Sequence, residues 1–204
     1  MSFLLHFRGR DYYRCAFCRG IAMHPEDHPS AEEEKARYLE HHNDTEDKRY
    51  QQFVRPVVNA VLRDFTSGHR GLDFGAGTGP VITAMLRKNG YSPEVYDPFF
   101  HPDTGVLSQP YDYIVCSEVI EHFHVPCREF SRLTALLRPG GALYCMTELY
   151  EDDIVFTDWY YKNDPTHVFF YHRRSLEWIR GRFCFDTLQT GKRLIIFRKG
   201  LVKA

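Results

Sequence analysis

The chain has 204 residues, 43% of them hydrophobic, which is enough to bury one sizeable core. Its 26 basic and 27 acidic side chains leave a formal net charge of −1, so the composition does not favour a nucleic-acid partner. No apolar run reaches the length of a membrane span, the first residues are too polar for a secretory signal, and the six scattered cysteines do not suggest a disulfide framework. We therefore expect a cytoplasmic protein.

The first recognisable pattern is a pair of cysteines. Residues 12–20 predict a strand followed by a knuckle, a tight turn that places Cys15 and Cys18 side by side. Two thiolates make half of a structural zinc site, which needs four ligands. His24 and His28 could complete a Cys2His2 set, although their spacing is cramped, and we favour the alternative that this pair binds no zinc.

Two helices are predicted next. Ser30 and Glu33 form a capping box that begins a helix running to Leu39. The segment 41–44 breaks this helix, and we expect its histidines, His41 and His42, to lie on the surface rather than in a catalytic site.

Residues 46–65 have the apolar periodicity of a second helix, with Pro56 as a potential kink. This pair of helices precedes the first strand of the main domain and could cover a cofactor. We place the domain boundary between an N-terminal extension, residues 1–66, and a main domain, residues 67–204.

The most informative segment is residues 72–80, where an apolar strand end runs into three alternating glycines, Gly75, Gly77 and Gly79. Glycine permits a tight turn, a close approach of the backbone to a ligand and close packing of the next helix on the sheet. Such a turn builds a cradle for a nucleotide. No Lys-Ser or Lys-Thr pair follows it, so a P-loop that grips phosphate is not expected.

An acidic residue follows the next predicted strand. Residues 92–96 lie about one βαβ unit downstream and lead into Asp97, where a carboxylate can accept hydrogen bonds from two ribose hydroxyls. The alternative is that Asp97 is only a turn residue at the end of a strand. Two features argue against NAD as the ligand. The last glycine of the turn is one position too early for the Gly-x-Gly-x-x-Gly motif of NAD-binding proteins, and the sequence shows no second mononucleotide-binding half.

On these residues the chain resembles the class I S-adenosylmethionine-dependent methyltransferases. The resemblance implies S-adenosylmethionine as the cofactor and residues 67–204 as the methyltransferase domain. The knuckle is similar to the N-terminal zinc ribbon of some methyltransferases, with the first pair of cysteines missing. The positions implied to bind the cofactor are Asp73, Gly75, Ala76, Gly77, Gly79, Asp97, Pro98, Ser117 and Glu118.

From Gly71 onward, apolar strand runs alternate with amphipathic segments, which predicts an α/β fold with a doubly wound, mostly parallel sheet. The family resemblance implies a Rossmann-like sheet of the seven-stranded type. One helix carries its apolar stripe at residues 81–86, and another ends at residues 138–141. We expect parallel strands near 70–74, 92–96, 112–116 and 141–147, and a closing antiparallel pair at 183–188 and 194–198.

A second group of polar residues follows the strand near 112–116. If Glu118 begins a helical turn, Glu121 and His122 lie three and four positions further on, so that all three side chains share one face. Two carboxylates repel each other unless something positive or protonated lies between them. A divalent cation, with the imidazole as a third ligand, would satisfy this arrangement.

Other interpretations of this turn stay open. Glu118 could instead cap the helix or lie near the adenine side of the cofactor. Glu121 could pair with Arg128 or Arg132, and His122 could act as a general base. The turn could also simply follow a strand, with no chemical role.

Residues 163–167, which follow the strand near 141–147, end in His167. Loops at the carboxyl ends of adjacent strands share one crevice, so His167 could approach the turn at 118–122. Here the chain resembles the O-methyltransferases of ubiquinone biosynthesis and, more distantly, small-RNA 2′-O-methyltransferases, which have a Glu-x-x-Glu-His turn and a later His. The resemblance covers residues 70 to about 180. The metal ligands that it implies are Glu118, Glu121, His122 and His167.

The chemistry that this resemblance implies is methyl transfer to oxygen. A cation such as Mg²⁺ or Mn²⁺ would lower the pKa of a chelated acceptor hydroxyl, while in-line positioning supplies much of the rate enhancement. Aromatic side chains between Glu148 and Arg174 favour a small, flat acceptor such as a catechol or quinol, unless these rings only pack onto the core. They are Tyr150, Phe156, Trp159, Tyr160, Tyr161, Phe169, Phe170 and Tyr171.

Three other functions stay open. The first is a metal-independent methyltransferase with His122 or His167 as the catalytic base. The second is an RNA 2′-O-methyltransferase, for which the basic run at 172–174 could contact nucleic acid, although a solvated helix start explains that run equally well. The third is a non-catalytic scaffold that keeps the cofactor cradle.

Overall fold

Two β-sheets organise residues 1–40 and 44–201, the part of the chain that the computed structural model describes. His41 and His42, which were predicted to lie on the surface, are outside the described residues. The strands are β1 Ser2–Phe7, β2 Arg10–Arg14, β3 Ile21–Met23, β4 Gly71–Phe74, β5 Glu94–Tyr96, β6 Tyr111–Ser117, β7 Leu137–Met146, β8 Phe169–Phe170, β9 Phe185–Thr190 and β10 Leu194–Lys199. The helices are α1 Ala31–Leu39, α2 Lys48–Asp64, α3 Val81–Arg87, α4 Pro126–Leu136 and α5 Arg173–Arg182.

The central sheet has the strand order β5-β4-β6-β7-β10-β9. The first four of these strands are parallel, and β10 runs antiparallel to both β7 and β9. The doubly wound α/β fold and its closing antiparallel pair are therefore confirmed. Among the described residues the sheet has six strands rather than seven, because the segment between β5 and β6 forms a short 3₁₀ helix, Thr104–Ser108, in place of a strand.

Both faces of the central sheet are buried under helices. Along β6, Ile114 and Cys116 contribute to the core that also contains α4 and α5, whereas Tyr113 and Val115 contribute to the core that contains α2 and α3. Successive side chains of a strand point to opposite faces, so an unbroken apolar run is what a central strand of this kind requires. All four side chains are fully buried.

The predicted helices are present with small shifts at their ends. The Ser30 hydroxyl accepts a hydrogen bond from the Glu33 amide, and the Glu33 carboxylate accepts one from the Ser30 amide, which confirms the capping box. Helix α2 begins two residues later than expected because the Asp47 carboxylate caps it. It continues through Pro56, so the proline does not end the helix.

The expected end of α4 at Arg138 and the expected start of β7 near 141 were both too late. Helix α4 ends at Leu136, and β7 begins at once with Leu137. The segment that follows bulges out of the sheet, because Leu137 pairs with Tyr111 whereas Ala142 already pairs with Tyr113. Gly140, at φ +78°, supplies the left-handed backbone of this bulge.

A second, four-stranded antiparallel sheet has the order β1-β2-β3-β8. Three of its strands come from the first 23 residues, but β8 comes from the loop that follows His167. Sequence analysis predicted neither β1 nor the pairing of β3 with β8. Among the described residues no helix is both long and apolar enough to cross a membrane.

A third apolar core lies against this smaller sheet and takes up part of the aromatic segment at 148–174. Tyr150, Phe156, Trp159 and Phe170 are buried there together with Tyr12 of β2. They pack against each other with ring centroids 5.1–6.2 Å apart, as aromatic core residues do. These four rings pack onto the core, whereas Tyr160 and Tyr161 of the same segment line the crevice at the carboxyl ends of the parallel strands.

A tight turn follows β2 at the cysteine pair, with the Cys15 amide donating to the Gly20 carbonyl and the Arg19 amide donating to the Cys15 carbonyl, each at 2.9 Å. Arg19 takes the left-handed conformation at φ +59° that closes the turn. The structure does not bring the suggested Cys2His2 set together, because His24 and His28 join no group of three metal-ligating side chains among the described residues. Within residues 1–40 and 44–201, neither cysteine joins a group of three or more metal-ligating side chains.

Candidate active site

A crevice of about 960 Å³ opens at the carboxyl ends of β4, β5 and β6. This is where ligands bind in doubly wound sheets, since the loops after neighbouring strands meet there. All nine residues predicted to bind the cofactor line this crevice, and so do His122 and His167. The sequence motifs that follow three different strands thus converge on one site.

The glycine turn after β4 is fastened to the neighbouring strand. The amides of Gly75 and Ala76 donate to the Tyr96 carbonyl at the end of β5, at 2.8 and 3.2 Å. Gly75 has φ +77°, and a Cβ atom there would lie 2.5 Å from Cγ2 of Val119. Only glycine meets both requirements, so this residue allows the turn to pack closely against the loop after β6.

Asp97 holds the turn from the opposite side. Its Oδ2 atom accepts a hydrogen bond from the Gly77 amide at 2.9 Å, and its Oδ1 atom accepts from the amides of Phe99 and Phe100 at 2.9 and 3.0 Å. The side chain is buried in the crevice wall. A carboxylate with three backbone donors is fixed in one orientation, which is the condition for recognising a hydroxyl-bearing ligand.

Two other predicted cofactor residues have different surroundings. The Asp73 carboxylate accepts hydrogen bonds from the Thr83 hydroxyl at 2.7 Å and the Thr83 amide at 3.2 Å, so it fastens α3 to the end of β4. Complete burial raises the pKa of Asp73 to about 6, despite these bonds. Ser117 keeps a buried hydroxyl that has no hydrogen-bond partner among the described residues, which a ligand in the crevice could supply.

Glu118 does not begin a helical turn, contrary to the sequence prediction. It has left-handed backbone torsion, φ +53°, and the 3₁₀ turn runs instead from Ile120 to His122. Its carboxylate is paired with the Arg193 guanidinium at 3.2 Å and contacts the Tyr161 hydroxyl at 3.3 Å. Burial raises the pKa of Glu118 to about 6, although Arg193 opposes the rise. Glu118 therefore lies in an ion pair, outside the group described next.

Glu121, His122 and His167 form one compact group. One potential ligand atom of each residue lies within 4.8 Å of those of the other two, and no other such group of three occurs within residues 1–40 and 44–201. The two imidazole rings have centroids 4.9 Å apart in an edge-on arrangement. The structure thus brings together three of the four predicted metal ligands, from two separate loops.

Backbone carbonyls orient both histidines. His122 donates its Nδ1 proton to the Thr166 carbonyl at 2.9 Å, and His167 donates its Nδ1 proton to the Tyr161 carbonyl at 2.7 Å. A carbonyl oxygen can only accept, so the neutral rings carry their lone pairs on Nε2. This is the pattern by which metal-ligating histidines are held in the correct tautomer.

Glu121 is completely buried, and only one of its oxygens is satisfied. Its Oε1 atom accepts a hydrogen bond from the Tyr161 hydroxyl, whereas Oε2 has no hydrogen-bond partner among the described residues. Burial, and then the nearby charge of Glu118, raise the pKa of Glu121 to about 8. The alternative pairing with Arg128 or Arg132 is wrong, because both guanidinium groups bind Glu129.

Sequence analysis missed several aromatic residues of the crevice, which come from α1 and α2. Tyr38 of α1 contacts both Phe99, which follows β5, and His122, which follows β6. The ring centroids are 5.8 and 5.3 Å apart, respectively. Tyr50 and Phe53 of α2 stack on each other in the crevice wall, 5.8 Å apart. Their periodicity is that of core residues, so only the fold shows that they face the crevice.

A glycine turn, an acidic residue after the next strand and a crevice between them, on a doubly wound sheet, define a class I S-adenosylmethionine-dependent methyltransferase. A family described as a methyltransferase domain matches residues 46–190, and the chain belongs to this family. The protein is therefore an enzyme that uses S-adenosylmethionine. No curated protein matches the chain in sequence.

Solved structures show the same fold. An O-methyltransferase family protein from Burkholderia thailandensis has a TM-score of 0.61 at 17% identity, with 87% of this chain and 66% of that one covered. A SAM-dependent methyltransferase from Archaeoglobus fulgidus has a TM-score of 0.57 at 16% identity, over 73% and 94% of the two chains. A 1,6-didemethyltoxoflavin N1-methyltransferase from B. thailandensis, solved with S-adenosylhomocysteine, has a TM-score of 0.54 at 15% identity over 98% and 100%. At 15–17% identity these structures show a shared fold and nothing more specific.

Proposed function

We propose that the enzyme transfers the methyl group of S-adenosylmethionine to an oxygen of a small acceptor, with a divalent cation held by Glu121, His122 and His167. The observation that carries this proposal is the group of three potential ligands, two of which, His122 and His167, line the crevice, with Glu121 buried beside them. The Oε2 atom of Glu121 has no hydrogen-bond partner among the described residues, and the Nδ1 hydrogen bonds hold both imidazoles in one tautomer, which suits a cation-binding group.

The donor set bears on the identity of the cation. One carboxylate and two imidazoles suit Mn²⁺ or Fe²⁺ better than Mg²⁺, which prefers oxygen ligands. When bound, such a cation would lower the pKa of an acceptor hydroxyl and so favour the nucleophilic oxyanion near neutral pH.

The residues of the chain supply positioning. The turn at Gly75 and the fixed carboxylate of Asp97 would hold the cofactor in the crevice that His122 and His167 also line. Tyr38 packs edge-on against His122 in the crevice wall and would limit the access of water there. In methyl transfer the alignment of acceptor and methyl group accounts for much of the rate enhancement, and the role of these residues would be to hold that alignment.

The walls of the crevice support a small, flat acceptor. Tyr38, Tyr50, Phe53 and Tyr160 line it and offer apolar contact area to an aromatic ring. Its ionisable lining includes six carboxylates and only four guanidinium groups. An RNA backbone would meet this excess of negative charge, so a catechol- or quinol-like acceptor fits better.

A metal-independent reaction is the second candidate. The Nδ1 hydrogen bonds that present Nε2 to a cation would equally present it as a general base. The two candidates differ in whether methyl transfer needs an added cation.

Calorimetric titration of the chelator-treated enzyme with Mn²⁺ and, separately, with S-adenosylhomocysteine tests the proposal. Glu121→Gln is expected to lose Mn²⁺ binding and to keep its affinity for S-adenosylhomocysteine. Glu129→Gln is the matched control, because its carboxylate lines the same crevice but binds Arg128 and Arg132 outside the group, and it is expected to bind Mn²⁺ as the parent does. A parent enzyme that binds no Mn²⁺, or a Glu121→Gln variant that binds it normally, would contradict the proposal.

A further inference from the structure

Tyr161 contacts two of the three potential ligands at once. Its hydroxyl donates a hydrogen bond to Oε1 of Glu121, and its backbone carbonyl accepts the Nδ1 proton of His167 at 2.7 Å. Its ring also lies against the His167 ring, with centroids 4.2 Å apart. Through these three contacts one residue fixes the carboxylate from one side and both the tautomer and the plane of the imidazole from the other.

The two ligands need such a link because no single element carries them. Glu121 lies on the 3₁₀ turn after β6, whereas His167 lies in the loop between the 3₁₀ helix Tyr160–Asn163 and β8. Besides Tyr161, a backbone hydrogen bond of 3.0 Å from the Val168 amide to the Glu121 carbonyl joins these segments. That bond sets the distance between the two loops, but it does not orient the Glu121 side chain.

Tyr161 is itself held firmly. Its hydroxyl lies 3.0 Å from the Thr147 hydroxyl, directly after the end of β7, and its ring packs on Trp159 at 5.2 Å in the third apolar core. The side chain is 5% exposed. A buried ring anchored to the central sheet loses little entropy when it orients a neighbour, so it is a rigid support for the carboxylate.

We propose that Tyr161 is the positioning residue of the cation-binding group: its hydroxyl turns Glu121 so that Oε2 faces His122 and His167. This inference rests on the proposed metal-assisted function. In metal sites the partners of the ligands set ligand orientation, and losing one typically weakens metal affinity about 10- to 100-fold.

Tyr161→Phe is the variant that tests this role. It removes the hydroxyl but keeps the ring against His167 and the backbone carbonyl. We expect the dissociation constant for Mn²⁺ to rise by about 10- to 100-fold and the visible absorption spectrum of the Co²⁺-loaded enzyme to change. The affinity for S-adenosylhomocysteine is expected to stay at the value of the parent, because the contacts of this hydroxyl are with Glu121, Thr147 and Glu118 and not with the glycine turn or Asp97.

Two further variants separate positioning from a general loss of structure. Tyr150→Phe is the control, since Tyr150 is buried in the same aromatic core but packs on Phe156 and Trp159, and it should leave Mn²⁺ affinity unchanged. Thr147→Val removes the hydroxyl beside that of Tyr161 and should weaken Mn²⁺ binding in the same direction. Thr147→Val also provides the test if Tyr161→Phe does not fold.

The outcomes distinguish this inference from the function on which it rests. If the parent enzyme binds no Mn²⁺, the proposed function fails. If the parent binds Mn²⁺ and Tyr161→Phe binds it equally well with an unchanged Co²⁺ spectrum, only the role of Tyr161 is overturned.

Discussion

Replacing Asp97 with asparagine should weaken cofactor binding while leaving the fold in place. The Asp97 carboxylate accepts three backbone hydrogen bonds, two on Oδ1 from Phe99 and Phe100 and one on Oδ2 from Gly77. In Asp97→Asn the amide oxygen can keep the two bonds on one side. The amide nitrogen would then face the Gly77 amide, donor against donor, and it could not accept a hydrogen bond from a ribose hydroxyl.

The size of this effect follows from the charge that is lost. A hydrogen bond to a charged group contributes about 1.5–3 kcal/mol, which corresponds to roughly a 10- to 150-fold rise in the dissociation constant for S-adenosylhomocysteine. Isothermal titration calorimetry measures it directly. The control is Asp103→Asn, because Asp103 also accepts a backbone hydrogen bond, from Gly105 at 2.8 Å, but it is exposed and does not line the crevice. An Asp97→Asn enzyme that binds S-adenosylhomocysteine as tightly as the parent would refute the assignment.

Two further predictions concern stability. Gly75→Ala should lower the free energy of unfolding by more than Gly90→Ala. Both glycines have φ near +80°, so each substitution costs about 1–2 kcal/mol of backbone strain, but only at Gly75 does the new Cβ meet Val119. Equal losses of stability in urea denaturation would contradict this contact with Val119. Burial opposes ionisation of Asp64, but hydrogen bonds from the Arg63 guanidinium and the Tyr144 hydroxyl, each at 2.7 Å, lower its pKa in the folded state. The difference in free energy of unfolding between the parent and Asp64→Asn should therefore be largest at neutral pH and shrink as the pH falls below about 4. A difference that does not change with pH would contradict this role of Asp64.

Features that depend on residues close in sequence were predictable. The capping box needs only Ser30 and Glu33, three positions apart, and the glycine turn needs only the strand end and the glycines after it. The central strands could be located because buried parallel strands are apolar throughout. The crevice then followed from topology, since adjacent parallel strands deliver their carboxyl-terminal loops to one edge of the sheet.

Features that depend on distant residues were not predictable. Strand β8 has two residues, too few to show a period, and it pairs with β3 at a separation of 149 positions, from Ile21 to Phe170. The ion pair between Glu118 and Arg193 spans 75 positions, and nothing near Glu118 indicates it. Tyr161 was grouped with the other aromatic residues of its segment, because its sequence surroundings do not show that its hydroxyl reaches Glu121.

The most direct test of the central claim is the initial rate of methyl transfer from radiolabelled S-adenosylmethionine to catechol, measured on chelator-treated enzyme as Mn²⁺ is added back. The account predicts a rate near background without the cation and a saturable rise as Mn²⁺ is added, with no such rise in Glu121→Gln. A rate that is already full without the cation and does not respond to Mn²⁺ would contradict metal assistance and leave His122 or His167 as the base.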